Sequence, residues 1–294
     1  MIFIDTHCHL DAAEFGGTQT EIVLDAAAVG VRTLVVPSVA LSNFDVVSDL
    51  CGQHPGCAPA YGIHPLYVDQ SQPADLLRLR EYLMAHKPVA VGEIGLDFFV
   101  EGFNQTQQEY FFVEQLKLAR EFDLPVLLHV RRAQDSVLKH LRKFYGRSGP
   151  STSLRAGIAH AFNGSRQQAD EFIKLGFKLG FGGAMTYTRA LRIRELATTL
   201  TLDSIVLETD APDIPPDFLA HGLPNGRDRP PHHNPLPQAG EEANDLLRKK
   251  IINLPQYLPR IAQTLAELRG MTLEEIARLT TANALDVLPR LEGR

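Results

Sequence analysis

The chain has 294 residues, of which 44% are hydrophobic and 22% charged, and its formal net charge is −6. This composition excludes a disordered chain, and the acidic balance excludes nucleic-acid binding by bulk attraction, so any phosphate must be held at a local site. Three cysteines (Cys8, Cys51, Cys57) make no disulfide framework, no run of 18 apolar residues marks a membrane span, and the N-terminus lacks the basic and apolar regions of a secretory signal.

The expectation is therefore a cytoplasmic protein that does not engage membranes. Its oligomeric state is left open, and a monomer is compatible with the composition.

In chain order, short apolar runs alternate with longer amphipathic stretches. Strands are predicted at 2–5, 33–37, 58–63, 89–94, 125–130, 157–161, 177–181 and 204–208. Helices are predicted between them at 20–29, 43–51, 74–85, 105–122, 134–144, 166–175 and 189–200, with apolar helices from about 255. The strand runs are nearly continuous Val, Ile, Leu and Ala, as in parallel strands buried on both faces. Length alone allows about two domains. Eight βα units instead predict an α/β protein formed by a single (β/α)8 TIM barrel over residues 1–294. An open doubly wound sheet is the rival, weakened because no G-x-G-x-x-G or P-loop follows the first strand.

One segment breaks the rhythm. Residues 211–237 hold eight prolines, too many for regular helix or strand, and a charged stretch at 239–251 has the pattern of a short helix. The expectation is an insertion over about 211–252, after strand 8, acting as a lid or specificity loop on the C-terminal face of the barrel.

The chemistry gathers at the ends of the strands. In Asp5-Thr6-His7-Cys8-His9, His7 and His9 point the same way and Cys8 points away, as a buried thiol. Glu93 lies near the end of strand four, His129 ends strand five, His160 ends strand six and Asp210 follows strand eight. A core strand does not carry such groups without a partner. Four nitrogen and two oxygen ligands exceed one tetrahedral site and suit two divalent metal ions that share a carboxylate. Glu93 is the expected bridge, with His7, His9 and Asp210 on one ion and His129 and His160 on the other. The mixed donors suit Zn, Mn, Fe or Co, while Mg prefers oxygen, so the identity of the ions stays open.

These residues lie in segments that together resemble the TatD family of metal-dependent hydrolases, within the amidohydrolase superfamily. The segments are Asp5-Thr6-His7-Cys8-His9-Leu10-Asp11, Gly62-Ile63-His64-Pro65, Val91-Gly92-Glu93-Ile94-Gly95-Leu96-Asp97, Pro125-Val126-Leu127-Leu128-His129, His160-Ala161-Phe162 and Leu207-Glu208-Thr209-Asp210-Ala211-Pro212. Thr280-Thr281-Ala282-Asn283-Ala284 resembles the family's last helix. The resemblance implies a (β/α)8 barrel, divalent metal, phosphodiester hydrolysis and nuclease activity. The insertion departs from the family pattern, which resumes near Asn253.

The leading expectation is a metal-dependent phosphodiesterase, a TatD-like deoxyribonuclease or exonuclease that uses a metal-activated water. Its partner is DNA or a small phosphodiester. Asp210, Glu93 and His64 are the candidate catalytic residues, with Asp210 taking the proton of the water. His64 and Arg131 are the candidate substrate contacts, since a guanidinium grips phosphate in bidentate fashion and Arg131 shares a face with His129. By the same alternation Arg132 faces away. Asp97 is expected to brace the Glu93 turn or hold substrate, and Glu208 to orient ligands or pair with a base. His54, His86 and His140 are expected at the surface, and His221, His232 and His233 fall in the insertion. Phe98, Phe99 and Phe103 are candidates for base stacking or, by preference, packing. The alternative function keeps the site but changes the bond to a small amide, lactone or phosphotriester.

Overall fold

The computed structural model describes residues 1–145, 156–220 and 251–292. Strands β1 (Phe3–Asp5), β2 (Val31–Pro37), β3 (Cys57–Tyr61), β4 (Ala90–Asp97), β5 (Val126–Arg131), β6 (Gly157–Ala159), β7 (Lys178–Phe181) and β8 (Ile205–Leu207) pair in chain order. Every pairing is parallel. Just beyond the strand ends the first and last segments meet. Thr6 N–H donates to Leu207 O (3.1 Å), Asp210 N–H donates to His7 O (2.9 Å), and Cys8 bridges Ala211. The sheet thus nearly closes into the expected (β/α)8 barrel.

Helices α1 (Gln19–Ala28), α2 (Phe44–Gln53), α3 (Pro73–His86), α4 (Gln105–Glu121), α5 (Gln134–Tyr145), α6 (Arg166–Lys174) and α7 (Leu191–Thr199) connect successive strands. The one-turn α8 (Asp217–Ala220) follows β8, and α9 (Leu258–Arg269) and α10 (Leu273–Val287) complete the chain. Helix starts follow local chemistry. Thr272 Oγ1 accepts from Glu275 N–H while Glu275 Oε2 accepts from Thr272 N–H, a reciprocal cap on α10. Ser165 and Gln168 do the same at α6.

The apolar residues divide by strand alternation. Phe3, Leu34, Val36, Phe111, Phe112, Phe172 and Phe181 belong to the layer between sheet and helices. Ile4, Val35, Ala58, Leu127, Ile158 and Val206 form a second cluster, the barrel's interior, closed by Ala284, Val287 and Leu288 of α10 and its C-terminal cap. One end of the barrel is therefore dry and plugged, and the polar residues gather at the other. Among the described residues no helix is long and apolar enough to cross a membrane.

Two details differ from expectation. β4 runs on to Asp97 rather than stopping at 94, because Gly95, Leu96 and Asp97 pair with His129, Val130 and Arg131 of β5. Glu93 is consequently a mid-strand residue. The proline-rich segment does contain helix: α8 starts directly after Pro215 and Pro216, with Asp217 N–H donating to Thr186 Oγ1 (2.7 Å). The stretch 239–250 and His221, His232 and His233 lie outside the described residues.

Where the chain is described again after the insertion, Asn253 ties it to the loop that carries Asp210. Its fully buried side chain donates from Nδ2 to Thr209 O (2.8 Å), Asp213 O (3.0 Å) and Ile214 O (3.3 Å). Asn253→Ala removes all three bonds and takes this donor from the buried Thr209 carbonyl, which costs about 1–3 kcal/mol. Urea unfolding should show a lower midpoint with an unchanged slope; an unchanged midpoint would contradict this role.

Candidate metal centre

The plugged barrel leaves its C-terminal mouth to the polar residues. Glu93, 1% exposed, projects from β4 at its centre. Its Oε2 lies 3.2 Å from His7 Nε2 and 3.4 Å from His9 Nε2. Its Oε1 lies 3.0 Å from His129 Nδ1, 3.1 Å from His160 Nε2 and 3.6 Å from His64 Nε2. Asp210 Oδ1 stands 3.8 Å from both His7 Nε2 and His9 Nε2, and 3.9 Å from His160 Nδ1. All six expected ligands therefore meet at one end of the barrel, and His64 joins them. The two oxygens of Glu93 face two different sets of imidazoles, His7 and His9 at Oε2 and His64, His129 and His160 at Oε1, with Asp210 beside both.

Local backbone makes this convergence possible. Gly95 adopts φ +150°, and a Cβ there would stand 1.9 Å from His129 O. Only glycine lets β4 approach β5 so closely between Glu93 and His129. Asp210 takes a left-handed φ of 58°, a strained choice for a residue with a side chain, of order 1–3 kcal/mol. It is held by its N–H bond to His7 O and by Asp213 N–H donating to its carbonyl (2.8 Å).

Behind the inward groups stands a row of carboxylates. Asp5 accepts from Thr209 N–H (2.9 Å), from Thr209 Oγ1–H and from His7 N–H, locking the β1 end to the β8 loop. Asp97 Oδ2 lies 3.0 Å from His129 Nε2. Glu208 Oε1 lies 3.6 Å from His160 Nδ1 and accepts from Ala161 N–H. Glu208 fits only because β7 offers Gly180, whose Cβ would fall 2.1 Å from Glu208 Oε2.

Burial and mutual charge set the protonation. Burial pushes the Glu93 carboxyl up, but the charges of His64, His7 and His160 and the bond to His129 together hold it well below the usual range. Asp97 is likewise raised by burial but brought to about 2 by His129 and by the N–H groups of Phe99 and Val100. Burial raises Asp210 to about 7 against the pull of His160 and His9. His9 is lowered by burial but carried to about 9 by Glu93, Asp210 and Asp11. Burial and the neighbouring His160 lower His7 to about 3.

The donor set fits a divalent cation. His7 Nε2 and His9 Nε2 face each other at 3.2 Å, and both face Glu93 Oε2, so three lone-pair atoms compete for too few protons. A cation among them satisfies all three at once. His7 Nδ1, His160 Nδ1 and Glu208 Oε2 are buried with no hydrogen-bond partner among the described residues. Among the described residues three groups offer ligand atoms mutually within 4.8 Å: His7, His9 and Glu93; His7, His160 and Asp210; His64, Glu93 and His129.

The family model for TatD-related DNases matches residues 4–289. The chain belongs to the TatD family. It is 40% identical over 225 residues to the uncharacterised metal-dependent hydrolase YjjV of Escherichia coli K12, covering 76% of this chain and 84% of that protein. The crystal structure of that TatD homologue superimposes with a TM-score of 0.82 at 34% identity, covering 98% of each chain. A protein of Erwinia amylovora named 3'-5' ssDNA/RNA exonuclease TatD is 29% identical over 282 residues, covering 95% of this chain and 97% of that one. As a member of the TatD family, the chain is a metal-dependent hydrolase whose His, Glu and Asp clusters can bind metal.

Other expected residues of this TatD-family chain fall less simply. Arg131 lies at the rim, its Nη1 3.9 Å from Asp97 Oδ2 and its guanidinium 3.7 Å above the Phe99 ring centre. Arg132 does not turn away: its left-handed φ of 52° brings its guanidinium to 4.6 Å from the same ring. Phe99 is thus a platform for two arginines. His140, expected at the surface, is 7% exposed, with Nε2 3.3 Å from Glu109 Oε2 and its ring edge-on to Phe112, because it sits on the inner side of α5. Asp5 has no role in the sequence reading, although it opens the motif that holds His7 and His9. Its position directly after an apolar strand was the available signal.

A cation bound here must displace protons. His9 holds its proton up to about pH 9 and Asp210 up to about pH 7, so competition weakens as pH rises between those values. Calorimetric titration with Zn²⁺ or Mn²⁺ at pH 7, in buffers of different ionisation enthalpy, should show proton release, and affinity should rise toward pH 9. Affinity independent of pH with no released protons would contradict this protonation scheme.

Proposed function

We propose that the chain hydrolyses phosphodiester bonds at the ends of nucleic-acid strands, with two divalent cations that the cluster around Glu93 would hold. The observation that carries this reading is the pairing of an imidazole–carboxylate cluster with cationic and N–H donors at one rim. His7, His9 and Asp210 would hold one cation, His129 and His160 the other, and Glu93 both. When bound, the cations supply Lewis acidity for the attack of water and neutralise charge developing on the phosphoryl oxygens.

The chain's own residues supply the rest. Asp210, whose Oδ1 stands among His7, His9 and His160, would be placed to accept the proton of the attacking water. His64 is a donor in this scheme. Its Nδ1 accepts from Leu66 N–H (3.1 Å), so the proton of the neutral ring sits on Nε2, which faces Glu93 Oε1 and the centre. That N–H is available to a phosphoryl or leaving oxygen. Arg131, braced by Asp97 and Phe99, would hold a phosphate oxygen. Arg132 over the same ring extends the positive rim along a strand. The exonuclease name of the Erwinia relative supports the choice of a nucleic-acid end.

The net charge of −6 favours keeping a small uncharged ester or phosphotriester as the second reading. Metal-loaded protein should cleave a short single-stranded oligonucleotide and a chromogenic phosphodiester in preference to a lactone or phosphotriester. Asp210→Asn should lower kcat on the phosphodiester by about 10²–10⁴-fold, the worth of a positioned proton acceptor. Arg131→Ala should act mainly on KM for the oligonucleotide. Turnover of the lactone or phosphotriester without the phosphodiesters would overturn the proposal in favour of the second reading.

A further inference from the structure

A line of contacts runs outward from Glu93 along the β4–β5 edge of the mouth. His129 stands between Glu93 and Asp97, and Arg131 Nη1 lies 3.9 Å from Asp97 Oδ2. The Arg131 guanidinium rests 3.7 Å from the centre of the Phe99 ring, and that of Arg132 rests 4.6 Å from it. The Arg131 side chain is 12% exposed, whereas Arg132 is exposed, so the pair leads from the centre to solvent. Phe99 is fixed beneath them. Its N–H donates to Asp97 Oδ1 (2.8 Å), and the preceding Phe98 N–H donates to Arg131 O (2.9 Å). Phe98 packs against the core, while Phe99 carries the two arginines.

This arrangement concentrates positive charge. The two guanidinium carbons are closer together than the sum of their distances to the ring, and they repel each other. The ring holds a cation through its face but does not neutralise it. Asp97 Oδ2 is shared with His129 and lies beyond hydrogen-bond distance of Arg131. Among the described residues Arg132 makes no ion pair or hydrogen bond of its own. Strand alternation would send Arg132 to the other side of the sheet. Its left-handed φ of 52°, a strained conformation for a residue with a side chain, brings it to the ring that Arg131 already occupies. Two adjacent guanidiniums and one distant carboxylate leave a demand for two anions side by side, which neighbouring phosphates of one strand meet.

We propose that Arg132, seated on Phe99, is a specificity-determining contact for the phosphate next to the one that Arg131 holds at the centre. The site then favours single-stranded oligonucleotides with at least two consecutive phosphates over a single diester. The proposal rests on the phosphodiester reading of the mouth, but its test measures binding and needs no turnover. Positive grooves that track a strand with arginine and aromatic side chains are a general means of holding single strands.

The experiment titrates the protein, without added metal, with the thymidine dinucleotide (one phosphate) and trinucleotide (two phosphates), followed by NMR at several salt concentrations. Wild type should bind the trinucleotide about 3–10-fold more tightly, the worth of one partly exposed charge-assisted contact. The slope of log affinity against log salt should be steeper for the trinucleotide by about 0.7, the increment for one further phosphate of a single strand. Arg132→Gln should erase the slope difference and most of the affinity difference. Phe99→Leu keeps both charges but removes their support, and it should also lose most of the affinity difference. Bulk attraction would leave that difference intact in Phe99→Leu.

Equal slopes and affinities for the two ligands in wild type, or no binding of either, overturn the proposal without any variant. An Arg132→Gln protein that keeps the wild-type differences also overturns it. Cleavage of a chromogenic phosphodiester by the metal-loaded protein alongside equal slopes would remove the role of Arg132 and leave the hydrolase reading standing. The expected slopes without cleavage of any phosphodiester would keep Arg132 in its role and remove the hydrolase reading instead.

Discussion

Glu93 is a buried carboxylate faced by five imidazoles within 3.6 Å, and the mouth of the barrel is arranged around it. A lone buried carboxylate is costly by several kcal/mol. Five neutral imidazoles alone do not compensate it, because each ring brings as many acceptors as donors. Burial lowers all five rings; at His9, His129 and His160 the pull of Glu93 together with Asp210 or Asp97 outweighs it, while at His7 and His64 a neighbouring imidazole adds to it. Divalent cations would neutralise this carboxylate with fixed charge and open positions.

The scaffold accepts strain to keep this arrangement. Asp210 stays in a left-handed conformation, and the close approach of β4 to β5 admits only glycine at 95. Compensation comes from below and behind. α10 and its cap close the interior with Ala284, Val287 and Leu288. Asp5, Asp97 and Glu208 brace the ends of β1, β5 and β6, and Asn253 secures the loop after β8. The inward groups converge on Glu93, and the carboxylates behind them fix where the strand ends and rings stand.

Much of this was legible in the sequence. Nearly continuous apolar strands alternating with helices specify a parallel barrel, and a charged or imidazole residue directly after such a strand has no place in a dry core. His7, His9, Glu93, His129, His160 and Asp210 stand out on that ground, as the TatD motifs do. What escaped depended on backbone detail. Alternation predicts where a side chain points only while the chain stays extended, and Arg132 leaves that regime with φ 52°. The part played by His64 depends on Leu66 N–H, a contact created by the turn after β3. His140 needed the packed face of α5, which a short amphipathic stretch does not reveal. The pairing of Asp97 with His129 joins adjacent strands and depends on register.

On the proposed function, Glu93 would be shared by two cations. Anomalous diffraction from crystals soaked in Mn²⁺ or Zn²⁺ tests it most directly. Two peaks are expected beside the Glu93 carboxylate, roughly 3.5–4 Å apart, the first against His7, His9 and Asp210 and the second against His129 and His160. A single peak that does not touch Glu93, or peaks only away from the barrel mouth, would contradict it.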